Sequence, residues 1–509
     1  MNIKDLILPI AIGVLGAFTI RYFLNNQPDE SQTKSYVAPK IEEINRPLQF
    51  GVDFVNSDIN LEQKFTSVET QFAKFTFSTL GATLDKVEFK HEIGNETILL
   101  TTLDQQQQTV DKCFLVAFPG ETTLNYKLID QSETDDVIKL SYESSDKSII
   151  KNFIVYKEIP KLDLEINLKT KKETRLRLLF NSPSVPTLKD DIIQGIVDET
   201  NLVKKSVGIA KEGRYWSQPA LFGSEDKYFV HAMAVDHDKF AQRGYYKVND
   251  TGTSIVSILE TPKIESDSSW TLTFYFGPKK VELMKSVNPK LGGSLEFGWW
   301  EFLCLPLLKL LNWLCNYVKN YGIAIILLTL LIKLLILPFT IRSQRGIQKM
   351  TKSQKELQQK MQHLEQKYRN DPERLREEKA ELVKKHGLQG MGGCLTMLLI
   401  QPLVFFPLQR VLANAIELYK APFLWIPNLS MPDPYYILPI LVGIGMVWMT
   451  TSSSGQKKSL PSSKISGYLM PLVFAAVTVS FSAGLSLYIA VSTLLSALQN
   501  VIVNKFQKI

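Results

Sequence analysis

Hydrophobic and polar residues follow two different periods along this chain. From about residue 47 to 280 the period is two. Leu162, Leu164, Ile166 and Leu168 alternate with charged or polar neighbours, Trp270, Leu272, Phe274 and Phe276 with mostly polar ones, and Phe75 and Phe77 repeat the pattern. Such alternation is what half-buried antiparallel strands produce, and turn signals recur at Gly94-Asn95, Asn249-Asp250 and Gly252. About 230 residues of this kind predict a large β-sandwich. Beyond Phe297 the chain changes character and runs in long, nearly uncharged stretches.

The apolar stretches predict where the chain meets a bilayer. Leu6–Leu24 is nineteen residues, about 28 Å as a helix, and its bulky Arg21-Tyr22-Phe23-Leu24 end reads as an uncleaved anchor rather than a signal peptide. The expected organisation is therefore an anchor at 1–25, a polar linker at 26–46, a β-sandwich domain at 47–285, an interfacial amphipathic helix at 290–320 and a five-helix core at 321–509. The five spans fall near 322–341, 393–412, 435–451, 465–481 and 485–504. The segment 297–319 is apolar, but Glu301, Lys309 and Asn312 interrupt it and Trp299, Trp300 and Trp313 prefer interfaces. If it spanned, the basic 342–390 segment would lie on the same side as the large soluble domain, so it is laid along the surface.

Charge supports that assignment. Overall hydrophobic content of 45% and charged content of 21% resemble a soluble protein, but the net charge of +7 is concentrated. Residues 342–390 hold thirteen Lys/Arg against seven Asp/Glu, a surplus of six. Flanked by apolar spans, this segment reads as a cytoplasmic loop, as does 452–464, which puts both termini in the cytoplasm. No zinc-finger spacing or RNA-binding signature accompanies it, so no nucleic-acid partner is expected. Within the 342–392 loop, Leu357, Met361, Leu364 and Tyr368 form one helical stripe and Asn370-Asp371-Pro372 a turn, predicting a two-helix hairpin. Of the four cysteines (Cys113, Cys304, Cys315, Cys394) only Cys113 lies in the β domain, which excludes a disulfide inside it.

No nucleotide fingerprint, nucleophile elbow, HExxH or Walker sequence occurs, so neither catalytic residues nor cofactors are expected. His231 and His237, the latter between Asp236 and Asp238, read as solvated surface rather than a metal site. The informative residues lie in the spans. Lys333 sits eight residues before Ile341, about 12 Å deep, and is expected to face protein or water unless it snorkels. Thr329 lies one turn away. The last span carries Ser486, Ser492, Thr493, Ser496, Gln499 and Asn500 at helical spacing, and the 393–412 span adds Gln401, Gln409 and Arg410. A cation on one helix and a polar stripe on another predict a water-accessible groove open to the cytoplasm.

Three long motifs carry a resemblance: GMGGCLTMLLIQPLVFFPLQRVL (390–412), APFLWIPNLSMPDPYYILPIL (421–441) and SFSAGLSLYIAVSTLLSALQN (480–500). They resemble the YidC/Oxa/Alb family of membrane protein insertases, in the Gram-negative bacterial form. The resemblance implies an α+β membrane protein of the inner membrane: an N-terminal anchor helix, a periplasmic β-supersandwich, and a five-helix transmembrane core with a cytoplasmic helical hairpin. It further implies a non-enzymatic insertase and folding assistant whose hydrophilic groove receives nascent membrane proteins, alone or with the Sec translocon. The lipid bilayer is a partner in its own right, and the ribosome and signal-recognition machinery are candidate ones. A basic ribosome-binding tail is not expected beyond Ile509. The family's groove arginine falls on Lys333, its polar neighbour on Thr329, and its paired aromatics on Tyr488 and Ile489. Gln401, Ser492, Ser496 and Gln499 complete the expected substrate groove. Lysine keeps the charge but lacks the guanidinium's fork of donors. The competing expectations are a secondary transporter, which lacks an internal repeat here, and a membrane-anchored sugar-binding protein.

Overall fold

The computed structural model describes residues 63–506, leaving out 94–95, 106–110, 119–123, 171–173, 185–192, 199–202, 208–214, 249–253, 296, 298–299, 369–371, 387–390 and 454–460. The expected anchor and linker lie outside the described residues, as do both Asn-containing turns, Asp371 and most of the 452–464 loop. The chain divides into two compact units between Glu296 and Phe297.

The first unit is built of three antiparallel sheets. Strands β1 (Phe65–Glu69) to β4 (Glu96–Asp104) form a meander. A five-stranded sheet has the order β13 (Tyr215–Ser217), β16 (Arg243–Val248), β17 (Ile255–Glu260), β10 (Arg177–Asn181) and β5 (Val116–Ala117). The third sheet has nine strands, with β18 (Ser268–Pro278) between β9 (Lys161–Leu168) and β15 (Phe229–Asp236). In that central pairing Leu272 faces Leu164, Phe274 faces Leu162 and Trp270 faces Ile166, so the residues alternating in sequence share one buried face.

Aromatic side chains from both smaller sheets pack on that face. The rings of Phe77 and Phe153 lie 4.8 Å apart, those of Phe89 and Phe229 5.8 Å, and those of Phe180 and Phe274 5.3 Å. The smaller sheets thus stack on the large one in a β-sandwich.

The opposite face of the nine-stranded sheet is covered by elements that the sequence boundaries split between two domains. Helix α1 (Val281–Val287) and the 3₁₀ turn Pro289–Ser294 bring Met284 and Leu291 against Ile196, Val230, Ala232, Ala234 and Tyr275. Asn288 locks the junction: its amide donates to the Ala234 carbonyl at 2.5 Å, and Lys290 pairs with Asp198.

Strand β15 is consequently buried on both sides from Phe229 to Ala234. This corrects the reading of His231 as solvated surface. Its ring stacks on Phe276 at 4.2 Å, and Nδ1 lies 3.0 Å from the carbonyl oxygen of Asn181, so Nδ1 carries the proton and donates it. His237 is exposed and contacts Thr273 Oγ1 at 3.1 Å. Among the described residues no group of three or more potential metal ligands occurs.

Burial pushes the His231 imidazole down from 6.5 to about 3. The unfolded chain therefore binds a proton between those values that the folded chain excludes, and stability must fall as pH falls through that window. The expected contribution is about 1.4 kcal/mol per pH unit, or about 2 kcal/mol at pH 5. Urea unfolding of the full chain in detergent should show this extra acid sensitivity in wild type and a shallower slope in His231→Gln. Parallel slopes from pH 6.5 to 4 would contradict the assignment.

The second unit is helical. After α2 (Glu301–Val318) come α3 (Tyr321–Lys367), α4 (Pro372–His386), α5 (Met391–Asn414), α6 (Ile437–Ser453), α7 (Pro461–Thr478) and α8 (Ala483–Phe506). Helix α2 buries Cys304, Leu311, Leu314 and Cys315 while Phe302, Trp313 and Tyr317 stay exposed. Among the described residues, Tyr321–Ile341 and Ala483–Val503 are long and apolar enough to cross a membrane, and Ile437–Met449 and Leu469–Thr478 are shorter apolar helices. Large apolar side chains stay exposed on them, among them Leu334, Leu335, Phe339, Ile440, Ile444 and Leu472, a pattern that water disfavours and lipid does not.

The hairpin differs from expectation in one respect. Its first helix is not a separate element, because α3 continues unbroken from the apolar stretch to Lys367. Helix periodicity is uninterrupted there, with neither glycine nor proline between Gly346 and Tyr368. Leu357, Met361, Leu364 and Tyr368 are half-buried, as are Leu375 and Leu382 on α4, and Lys379 donates to Glu365 at 2.6 Å across the pair.

Candidate functional site

The connection from α5 to α6 fixes the helix ends that frame the site. Asp433 is buried and accepts from the backbone N–H groups of Tyr435 and Leu438 and from the Trp425 indole, which caps the start of α6. The start of α8 is hydrogen-bonded to the same connection, Ala483 N–H to Met431 and Gly484 N–H to Leu429. Asn320 caps α3 by accepting from Ile323 N–H and donates to the Pro422 carbonyl. At Gly322 a Cβ would fall 2.1 Å from the Phe423 ring, so only glycine allows this approach. The first turns of α3, α6 and α8 are therefore gathered at one end of the unit.

From that end α3 and α8 run in the same direction. Ile325 lies beside Gly484, Lys333 reaches Ser496, and Thr340 reaches Gln499. The Lys333 ammonium donates to Ser496 Oγ at 2.7 Å. Ser496 Oγ in turn donates to the Ser492 carbonyl at 2.8 Å, so its lone pairs point to the lysine. Two helical turns further along α3, and less than one along α8, Gln499 Nε2 donates to Thr340 Oγ1 at 2.9 Å. A polar seam thus runs along two otherwise apolar helices.

The remaining sequence candidates divide around this seam. Tyr488 and Ser492 are buried on the face that Ser496 continues, at i, i+4 and i+8. Ile489 is also buried. Thr329 is buried and its hydroxyl donates to the Ile325 carbonyl at 2.7 Å, within its own helix. The side chain of Gln401 lies outside the described residues. Gln409 Oε1 is buried without a hydrogen-bond partner among the described residues. Thr340 joins the seam without being one of the sequence candidates, although its position seven residues after Lys333 puts it on the same helix face.

The arrangement holds no nucleophile–base pair and no ligand cluster among the described residues. It offers hydroxyl and amide groups and one cation set among apolar side chains, which suits it to holding polar or acidic groups. Fold and site together define a class: a helical membrane unit with a polar seam, joined to a large β-sandwich.

Comparison with known proteins makes the class specific. The family model "60Kd inner membrane protein" matches residues 313–509, and the "YidC periplasmic domain" model matches residues 195–310. The membrane protein insertase YidC of Syntrophus aciditrophicus is 31% identical over 478 residues, covering 87% of this chain and 85% of that protein. That of Helicobacter pylori is 34% identical over 297 residues, covering 58% of this chain and 52% of the relative, so the chain spans about half the length of several curated relatives it matches. A solved structure described as an active YidC insertase with the first transmembrane domain resolved aligns over 88% of this chain and 93% of that one, at 19% identity and a TM-score of 0.37. The chain belongs to the YidC family of membrane protein insertases, and is an inner-membrane protein with a periplasmic domain.

Proposed function

We propose that this protein inserts newly made proteins into the inner membrane and assists their folding, by a hydrophilic groove in the helical unit. In this reading α5, α6, α7, α8 and the first half of α3 cross the bilayer, the N-terminal anchor adds one further span, and both termini lie in the cytoplasm. The α3–α4 hairpin projects into the cytoplasm, α2 lies along the membrane surface, and the β unit is periplasmic. Lys333, Thr329, Gln401, Tyr488, Ser492, Ser496 and Gln499 line the groove. Nascent membrane proteins are the substrates, with the bilayer itself, the Sec translocon, and the ribosome or signal-recognition machinery as partners.

The observation that carries this reading is the cation held on Ser496 within the apolar helix pair. An intramembrane lysine costs about 3 kcal/mol on insertion scales, a cost sustained where the charge has a task. A hydrophilic tail crossing intact hydrocarbon loses water without replacement. A groove with hydroxyls and one cation shortens that dry path and attracts acidic segments. Transfer of the substrate's apolar segment into lipid then provides the drive, at about 25 cal/mol per Å². No covalent step or cofactor is required.

The test is reconstitution. Vesicles carrying the purified chain should insert a short substrate with an acidic periplasmic tail, and protein-free vesicles should not. A variant lacking most of residues 50–270 should retain substantial insertion. Insertion no better than in empty vesicles would overturn the proposal.

A further inference from the structure

The unexplained detail of the seam is geometric. A lysine on a transmembrane helix about 12 Å below the boundary can carry its ammonium outward to the headgroups along its four-carbon stem. Here the ammonium stops partway, on Ser496 of the neighbouring helix, which the Ile325–Gly484 and Thr340–Gln499 contacts set about one turn nearer the hairpin end than Lys333 itself. The serine is suited to this because its proton is committed to the Ser492 carbonyl at 2.8 Å. Its oxygen is therefore turned as an acceptor, and the i−4 carbonyl polarises it further. An alanine at 496 would remove the acceptor, and no other acceptor hydrogen-bonds Lys333 among the described residues.

We infer that Ser496 is a positioning residue: it arrests the Lys333 ammonium partway up the groove, about one helical turn short of the boundary, and prevents it from snorkelling on to the cytoplasmic headgroups. Part of the polar stripe on α8 therefore serves the lysine rather than the substrate. This rests on the groove reading above and adds a specific division of labour to it. An arginine reaches further and spreads its charge over a fork of donors, whereas a lysine is a point charge at the end of a flexible stem. A lysine in this place depends on an acceptor across the helix pair to fix its depth. Acidic tails then meet the cation below the headgroup layer, after shedding part of their water, where the attraction is less screened.

The experiment uses the full-length chain in proteoliposomes with two readouts. The first is labelling of Lys333 by a membrane-impermeant amine reagent, resolved by peptide mass spectrometry. The second is the ratio of insertion for an acidic-tailed substrate to that for the same substrate with a neutral tail. Ser496→Ala should raise Lys333 labelling severalfold and lower the ratio about tenfold. Ser496→Thr, which restores the hydroxyl, should return both toward wild type. A merely structural role for Ser496 would change insertion of both substrates together and leave labelling alone.

Lys333→Glu is run alongside. If it abolishes the preference for acidic tails while Ser496→Ala alters neither labelling nor ratio, the positioning role is overturned and the groove reading stands. If Lys333→Glu leaves the preference intact, the groove reading fails and the positioning role fails with it.

Discussion

Replacing Lys333 with glutamate is expected to reduce insertion of acidic-tailed substrates by one to two orders of magnitude, while arginine at the same position preserves it. The ammonium is the single cation placed against the α3–α8 seam by a described hydrogen bond. A carboxylate about 5 Å away gains about 3 kcal/mol from such a charge at an effective dielectric constant of 20, and reversing the sign turns that attraction into repulsion. Glutamine should fall between lysine and glutamate, because it keeps hydrogen-bonding capacity without charge. Substrates with neutral tails should respond much less to any of the three. Reconstituted insertion, normalised to the amount of folded protein in the vesicles, checks the series. Equal insertion by the arginine and glutamate variants would refute electrostatic attraction as the groove's contribution.

The second large effect is expected in the β unit, at an ion pair buried beneath the meander. Asp85 and Lys112 are both fully buried and lie 2.7 Å apart. Asp85 also accepts from Thr83 Oγ1 at 2.7 Å and Gln63 Nε2 at 2.8 Å, so its lone pairs are well used. Removing the lysine strands a carboxylate away from water, and Lys112→Met should cost about 3–5 kcal/mol of stability. The double variant Asp85→Asn/Lys112→Met should recover most of that loss, since asparagine still accepts from Thr83 while neither buried charge remains. Urea unfolding of the full chain, read by hydrogen exchange of β3 (Thr83–Ile93), measures both. A double variant as unstable as the single one would mean that the pair stabilises the fold by more than avoiding a stranded charge.

Nearby, Lys151 makes a different use of burial. Its ammonium donates to the carbonyl oxygens of Gly81, Ala82 and Phe114 at 2.7–3.2 Å and faces the Tyr126 ring. Ala82 and Phe114 both have left-handed backbones, at φ of 44° and 64°. Standing on the large sheet, the lysine thus ties down two strained turns, one within the meander and one leading into the five-stranded sheet. Nothing in the local sequence around Lys151 marks it as different from the solvated lysines on neighbouring strands.

The amino-acid order by itself determined which faces of β9 and β18 are buried, because period-two alternation is a local property and survives any pairing scheme. It also determined the apolar helices and the presence of a cation within one of them, since a charge in an apolar run is conspicuous without coordinates. It carried the family resemblance in long, ordered motifs. It could not determine the division into three sheets, because strands such as β9 and β18 pair across more than a hundred residues. The burial of His231 is hidden from the sequence for a related reason. A strand buried on both faces loses its alternation, and the covering helix α1 lies about fifty residues further along. The same limit applies to the seam. Helical spacing placed Ser492, Ser496 and Gln499 on one face, but which hydroxyl meets Lys333 depends on how two helices 163 residues apart are set against each other. That register is decided by the gathered helix ends at Gly322, Phe423 and Gly484, and therefore by tertiary packing alone.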